Sequence, residues 1–317
     1  MRSVALANHL FAAGVLGINR RNAEFTLRYN PRRLYPLVDD KLRTKELAMA
    51  AGIAVPEIYT VVEIERQVRE LHARLQGRKD FVIKPARGTG GEGVLVVTGK
   101  YKDSYRMANG ALKTRKEVDL HVSNILGGIY SLGGESDRAM VEYRVQLDPL
   151  FESVAYQGVP DIRIVVFLGV PVMSMVRLPT RLSEGRANLH QGAIAAGIDI
   201  GTGATLTAVF RNDILREHPD TGNDVTGIRI PGWERLLELA ASCYELTGMG
   251  YQGVDIVLDK DKGPMILELN ARPGLNIQIA NRSGLLPRLH LVEKNHDCLP
   301  DVESRVAFAK KHFSDAY

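Results

Sequence analysis

Residues 250–274 read Gly-Tyr-Gln-Gly-Val-Asp-Ile-Val-Leu-Asp-Lys-Asp-Lys-Gly-Pro-Met-Ile-Leu-Glu-Leu-Asn-Ala-Arg-Pro-Gly. Val254 to Leu258 and Met265 to Leu269 are apolar runs of strand length, and the polar Asp-Lys-Asp-Lys-Gly-Pro between them is a turn segment. Pairing Leu258 with Met265 across the turn sets Asp255 opposite Glu268. Glu268 and Asn270 are two apart, so they share a strand face. Asp255, Glu268 and Asn270 then form a cluster of hard oxygen donors, which suits Mg²⁺. The competing reading is a hairpin whose acidic face meets water.

Upstream, residues 81–97 read Phe-Val-Ile-Lys-Pro-Ala-Arg-Gly-Thr-Gly-Gly-Glu-Gly-Val-Leu-Val-Val. Gly88, Gly90 and Gly93 fit G-x-G-x-x-G, but a dinucleotide loop would lead into a helix, and Val94 to Val97 reads as a strand. A Walker loop would close on Gly-Lys-Ser or Gly-Lys-Thr, which is absent here. What remains is strand, glycine loop, strand. Gly88, Thr89, Gly90, Gly91 and Gly93 would offer backbone N–H groups to phosphates, with Lys84 on the incoming strand as a cation. An ordinary glycine-rich hairpin is the alternative.

A third segment, from Val38-Asp-Asp-Lys-Leu-Arg-Thr-Lys to Gly-Ile-Ala-Val-Pro56, predicts a helix capped by Asp39 or Asp40, running to about Ala51 and closed by Gly52. Lys41 falls in its first turn, where the helix dipole disfavours a cation unless an anion is near. A solvated surface lysine would explain it equally.

In this order, the three segments resemble the ATP-grasp superfamily of carboxylate–amine ligases. Asp40-Lys41-Leu42-Arg43, Ile83-Lys84-Pro85 with Gly88 to Gly93, Val141-Glu142-Tyr143, and Gly253-Val254-Asp255 with Glu268-Leu269-Asn270 and Pro273-Gly274 carry the resemblance. Asp161-Ile162-Arg163 and Asn188-Leu189-His190-Gln191-Gly192 are most similar to RimK-type amino-acid ligases. The chain is also similar to the alpha-L-glutamate ligase-like, or sugar-transfer-associated ATP-grasp, group. The likeness spans about Leu37 to Leu286.

The resemblance implies an α+β fold, with two subdomains of antiparallel sheet gripping ATP. Residues 37–286 would be the core, with a smaller lid at about 57–142. Residues 1–36 would be an N-terminal helix and basic extension, and 287–317 a helical tail. It implies ATP with Mg²⁺, two ions, Mn²⁺ able to substitute. Lys41 and Lys84 would hold the α- and β-phosphates. Glu142 and Tyr143 would read adenine, and Asp148 or Glu152 would take the ribose. Arg163 and Arg272 would steady the transferring phosphoryl group. The substrates are a carboxylate and an amine, an amino acid, with Arg181, Arg186, Asn188 and His190 of the Pro179 to Gly203 loop as candidate contacts.

Two departures stand out: Arg272 stands where many RimK-like sequences have a small residue, and Gln191 where a basic residue is common. The separate N-terminal domain of roughly a hundred residues common in the superfamily has no counterpart in the 36 residues before the core. The missing substrate contacts would then come from that loop, a second copy or a dedicated protein partner, with Val4 to Ile18 as a docking helix. A phosphotransferase and an ATP-binding regulatory pseudoenzyme are the other functional classes.

Composition agrees. The chain has 317 residues, 45% hydrophobic and 25% charged, enough for a large core. A net charge of +4 favours anionic substrates, but aromatics are not interleaved with basic runs, so no nucleic-acid platform is expected. Two cysteines, Cys243 and Cys298, fit a reducing cytoplasm, and no apolar run reaches transmembrane length.

Elsewhere helices are expected at Glu63 to Leu75, Glu117 to Tyr130 and Trp233 to Thr247, the last burying Leu236, Leu237, Leu239, Ala240 and Tyr244. Strands are expected at Ile162 to Phe167 and Pro171 to Val176. Pro179 to Gly203 reads as a mobile loop.

Overall fold

The computed structural model describes residues 10, 12–88, 90–211 and 213–314. Thr89 and most of the expected docking helix, residues 4–9 and 11, lie outside them. The described chain forms two antiparallel sheets.

The smaller sheet is built from β1 (Ile58–Val62), β2 (Phe81–Pro85), β3 (Leu95–Tyr101), β4 (Ser104–Met107), β5 (Leu112–Thr114) and β6 (Ala139–Glu142), in the order β1-β6-β2-β3-β4-β5. Side chains alternate across it. Phe81 and Ile83 on β2, with Leu95 and Val97 on β3, face a core closed by Val68, Leu71 and Leu75 and by Val118, Val122 and Ile125. Lys84 and Glu142 point to the opposite face. They sit diagonally, because Lys84 pairs with Met140 and Val82 with Glu142.

The larger sheet is built from β7 (Asp161–Phe167), β8 (Val170–Leu178), β9 (Ile194–Ile198), β10 (Thr205–Phe210), β11 (Asp213–Leu215), β12 (Tyr251–Asp259) and β13 (Gly263–Asn270), in the order β11-β10-β9-β8-β7-β12-β13. Every residue of β12 is buried, as expected of a strand covered on both faces. Its even positions, Val254, Ile256 and Leu258, join the main apolar cluster. Helices Trp233–Thr247 and Val302–His312 pack against β8, the first also against β7 and β12. The odd face of β12 carries Asp255.

Several expectations change. The β12–β13 hairpin pairs Leu258 with Pro264, not Met265, yet Asp255 still meets Glu268. The register shifts between Asp255 and Ile256, so Leu267 is an extra residue that restores the pairing. The stretch Glu63 to Leu75 is two short helices, Glu65–Val68 and Leu71–Arg74, with Ile64 exposed. The helix expected at Glu117 to Tyr130 is Arg115–Leu126, preceded by β4 and β5 in the region read as mixed. Thr114 and Glu117 form its capping box, which fixes the earlier start. Pro179 to Gly203 is not all loop: it contains β9, wholly buried in the sheet. Leu239 and Tyr244 are only partly buried.

The N-terminal segment packs on the end of the β12–β13 hairpin. The Asn30 side-chain amide accepts from the Tyr251 N–H at 2.9 Å and donates to the Tyr251 carbonyl at 2.6 Å and the Ala271 carbonyl at 3.2 Å. Arg21, in a short π-helical stretch (Arg21–Thr26), donates to the Pro273 carbonyl at 2.9 Å. Together they pin the turn that carries Arg272.

Candidate nucleotide and metal site

Helix Lys41–Ala50 begins where the Asp40 side chain accepts from the Leu42 N–H at 3.1 Å, as a capping residue does. Arg138 holds the other oxygen of the same carboxylate. Leu42 packs on Met140 of the small sheet and on Ala86, just past β2. This contact sets the helix beside Glu142 and the base of the glycine loop. The Lys41 N–H donates to the Ala86 carbonyl at 2.9 Å, and its ammonium donates to the Gly88 carbonyl.

Three buried ionic groups line this face. The Glu142 carboxylate, 3% exposed, pairs with Lys84 at 2.6 Å and with Lys45 at 2.8 Å. Lys45 also donates to the Pro56 carbonyl at 2.7 Å. Burial would raise the Glu142 carboxyl, but Lys84 and then Lys45 hold it below its ordinary value. Lys45 is lowered to about 8, first by burial, then by Lys84, with Glu142 opposing.

The glycine loop joins β2 to β3 and needs its glycines. Gly90, Gly91 and Gly93 have φ of +65°, +79° and +70°. A Cβ on Gly93 would also come within 2.6 Å of the Tyr130 ring. The Gly90 carbonyl accepts from Asn188 Nδ2 at 3.0 Å and from Gln191 Nε2 at 3.1 Å. The loop thus reaches from the small sheet to the β8–β9 connection of the large one.

Behind that connection lies a second ionic cluster. Arg163 grips Asp255 through two bonds, Nε to Oδ1 at 2.7 Å and Nη2 to Oδ2 at 2.6 Å. Arg177 grips Asp161 at 2.5 and 2.6 Å and reaches Asp255 Oδ2 at 2.9 Å. Asn270 Nδ2 donates to the same oxygen at 3.2 Å. Burial would raise the Asp255 carboxyl, yet Arg163 and Arg177 hold it below the carboxylate range. For Asp161, burial wins over Arg177, and the Asp255 charge adds to the rise. Burial would lower Arg177, but Asp161, Asp255 and, more weakly, Glu268 raise it.

Arg163 thus takes Asp255 as its ion-pair partner, and Arg177 takes Asp161. Glu268 is half-buried beside this cluster, opposite Asp255. Two arginines against Asp161, Asp255 and Glu268 leave one net negative charge.

Other candidates are more scattered. Tyr143 and its neighbours carry the chain from β6 toward the large sheet: the Tyr143 N–H donates to the Glu57 carbonyl at 2.8 Å, and Lys262 sits 3.9 Å over its ring. Burial and the neighbouring Asp259 push its hydroxyl up. Asp148 caps the turn Pro149–Phe151 through the Leu150 N–H at 2.9 Å, and Glu152 is exposed just beyond. Arg272 is exposed and stands 5.1 Å over the Tyr35 ring. Arg181 and Arg186 are exposed, Arg181 over Tyr156 and Arg186 beside Gly91. Asn188 Oδ1 accepts from the His190 N–H at 3.0 Å, and the His190 residue is exposed.

Lys45 and Arg177 are functional candidates that sequence reasoning passed over. Lys45 follows Lys41 by four residues and so shares its helix face, a legible signal. Arg177 lies beyond the strand end expected at Val176.

Among curated proteins no sequence matches this chain. Solved structures similar to it include the ATP-grasp ligase PsnB complexed with minimal precursor, at 15% identity over 88% of this chain and 62% of that one, TM-score 0.46. The D-cycloserine synthetase DcsG is similar at 19% identity over 84% of this chain and 73% of that one, TM-score 0.47. The D-alanine–D-alanine ligase from Bacillus anthracis complexed with ATP is similar at 15% identity over 88% and 70%, TM-score 0.44. The chain thus spans 62% of the length of PsnB. The model of the sugar-transfer-associated ATP-grasp family matches residues 20–294, most of the sequence; with its two antiparallel sheets and bridging glycine loop, this chain belongs to the ATP-grasp fold and to that family.

Proposed function

We propose that this chain is an ATP-dependent carboxylate–amine ligase of the acid–amino-acid type, RimK-like in plan. The observation that carries the reading is the pairing of two oppositely biased ionic clusters, one on each sheet, with the glycine loop spanning between them. A polyanion that must be held while one phosphoryl group moves needs both.

In this reading the substrate carboxylate attacks the γ-phosphorus, ADP leaves, and an acyl phosphate forms. The amine nitrogen then attacks the acyl carbon, phosphate leaves, and the nitrogen loses a proton. Lys41 and Lys84 hold the α- and β-phosphates, and the N–H groups of Gly90 and Gly91 cover them. Glu142 and Tyr143 bound the adenine side, with Asp148 or Glu152 toward the ribose. Arg163 fixes Asp255, while the exposed Arg272 is the guanidinium open to the transferring group. Asn188 and Gln191 hold the loop down, beside Arg181, Arg186 and His190 as acceptor contacts.

Asp255, Glu268 and Asn270 supply carboxylate and amide oxygens, a donor set that fits Mg²⁺ or Mn²⁺. Asp255 Oδ2 already accepts three bonds, so Glu268, Asn270 Oδ1 and Asp255 Oδ1 are the oxygens best placed to ligate. When bound, one or two such ions neutralise phosphate charge. A cytoplasmic setting belongs to the same reading, supported by the two free cysteines, Cys243 and Cys298. No helix among the described residues is long and apolar enough to cross a membrane.

The test is nucleotide turnover against panels of amino acids and acidic peptides, with mass spectrometry of products. ADP release that needs both a carboxylate and an amine, with an amide product, is the expected result. A phosphorylated product formed without any amine would establish a phosphotransferase instead.

A further inference from the structure

The Lys45–Glu142–Lys84 cluster places two ammonium groups on one carboxylate in a dry setting. Lys45 is 1% exposed, Glu142 3% and Lys84 5%. With both lysines protonated the cluster carries a net positive charge that no described group offsets. Such an excess is costly to bury. We propose that Lys45 is a positioning residue of the nucleotide site: it is the reserve counter-ion for Glu142, taking up a proton when Lys84 turns from Glu142 to a nucleotide phosphate. This rests on the ATP-binding reading above and deepens it.

The geometry supports an exchange of partners. Lys84 lies on β2 and Lys45 on helix Lys41–Ala50, and they hold different oxygens of Glu142, Oε1 and Oε2. Lys84 can therefore leave without breaking the Lys45 contact. Once it does, Glu142 would be an unpaired buried anion unless Lys45 is charged. Before it does, Lys45 is the second cation on a carboxylate already paired. The same ammonium is thus surplus in the free protein and required in the complex.

The groups around Lys45 are few. On its own helix Lys41 lies one turn earlier, engaged with the Gly88 carbonyl. Asp39 on Pro36–Asp39 and Glu268 on β13 are the charged residues of those two packed elements. Lys84 and Glu142 are the charges that act on Lys45, and its lowered value of about 8 fits the surplus state. The sign follows. Below pH 8 Lys45 is already protonated and binding takes up no proton. Above pH 8 it is neutral in the free protein and must gain one, so affinity falls as pH rises, by at most about tenfold per unit.

The experiment is titration calorimetry of Mg²⁺-ATP into the full chain at pH 8.5, in two buffers of different ionisation heat. Wild-type protein is expected to take up roughly half a proton or more per ATP. Lys45→Arg, which keeps its charge at all working pH, should bind ATP and abolish that uptake. Lys45→Met should raise the ATP Kd about tenfold or more at pH 7, with kcat little changed. Equal uptake by wild type and Lys45→Arg, or unchanged affinity in Lys45→Met, would overturn the proposal and leave the ligase reading standing. If the variants fail to fold, a wild-type Kd that is flat from pH 7 to 9.5 overturns it alone. No ATP binding by wild type at any pH would remove both.

Discussion

The two ionic clusters are built from similar parts to opposite ends. At the small sheet, Lys84 of β2 and Lys45 of the packed helix share Glu142, and positive charge is in excess. On the large sheet, two arginines face Asp161, Asp255 and Glu268 and negative charge is in excess. The cations differ for a physical reason. Lysine is a point charge on a flexible stem that can exchange partners, whereas the arginine fork is rigid and bidentate. In the proposed reading, the first cluster would capture a mobile phosphate, and the second would be a fixed platform on which an oxygen donor is held still.

The largest effect should come from removing the negative excess. Glu268→Ala is expected to lower kcat on the order of 10³-fold, with thermal unfolding unchanged. Native-rate turnover of acceptor by this variant would sink the donor assignment.

The platform itself is tested by Arg177→Met, which leaves Asp161 buried without its fork. A loss of about 3 kcal/mol at pH 8, read by denaturant unfolding, is expected. Because burial already raises Asp161, the variant can neutralise it by protonation, so the penalty should shrink as pH falls toward 5. A penalty equal at both pH values would mean that the cost lies in packing rather than charge.

A smaller effect tests the bridge between the clusters. Asn188→Ala with Gln191→Ala removes both bonds to the Gly90 carbonyl. Each is worth about 1 kcal/mol, so KM for ATP should rise roughly thirtyfold with stability nearly constant. An unchanged KM would show that the loop closes without them.

Much of this was legible in the sequence. Apolar alternation marked the central strands, and the glycines of the β2–β3 loop stood where positive φ requires them. What escaped turned on single extra residues. On β8 the strand was expected to end at Val176, and next to the turn Phe167 pairs with Val170 and Val166 with Pro171. Val172, an extra residue on β8, moves Arg177 opposite Asp161. Leu267 does the same on β13, and there two deviations cancel: the turn is tighter than expected, and the bulge restores Asp255 to Glu268. Periodicity is blind to such shifts, since a bulge leaves the strand just as apolar. Lys45 was missed for another reason. Its burial depends on Leu42 docking against Met140, a contact between segments about a hundred residues apart that no local pattern announces.

The Asn30 amide bears on the order in which the protein is made. Its partner Tyr251 lies 221 positions downstream. At roughly 5–20 residues per second, a ribosome would hold Asn30 unsatisfied for about ten to forty-five seconds. Asn30 is therefore seated long after it is made, and the turn bearing Arg272 becomes fixed only once residues 251–273 have reached it.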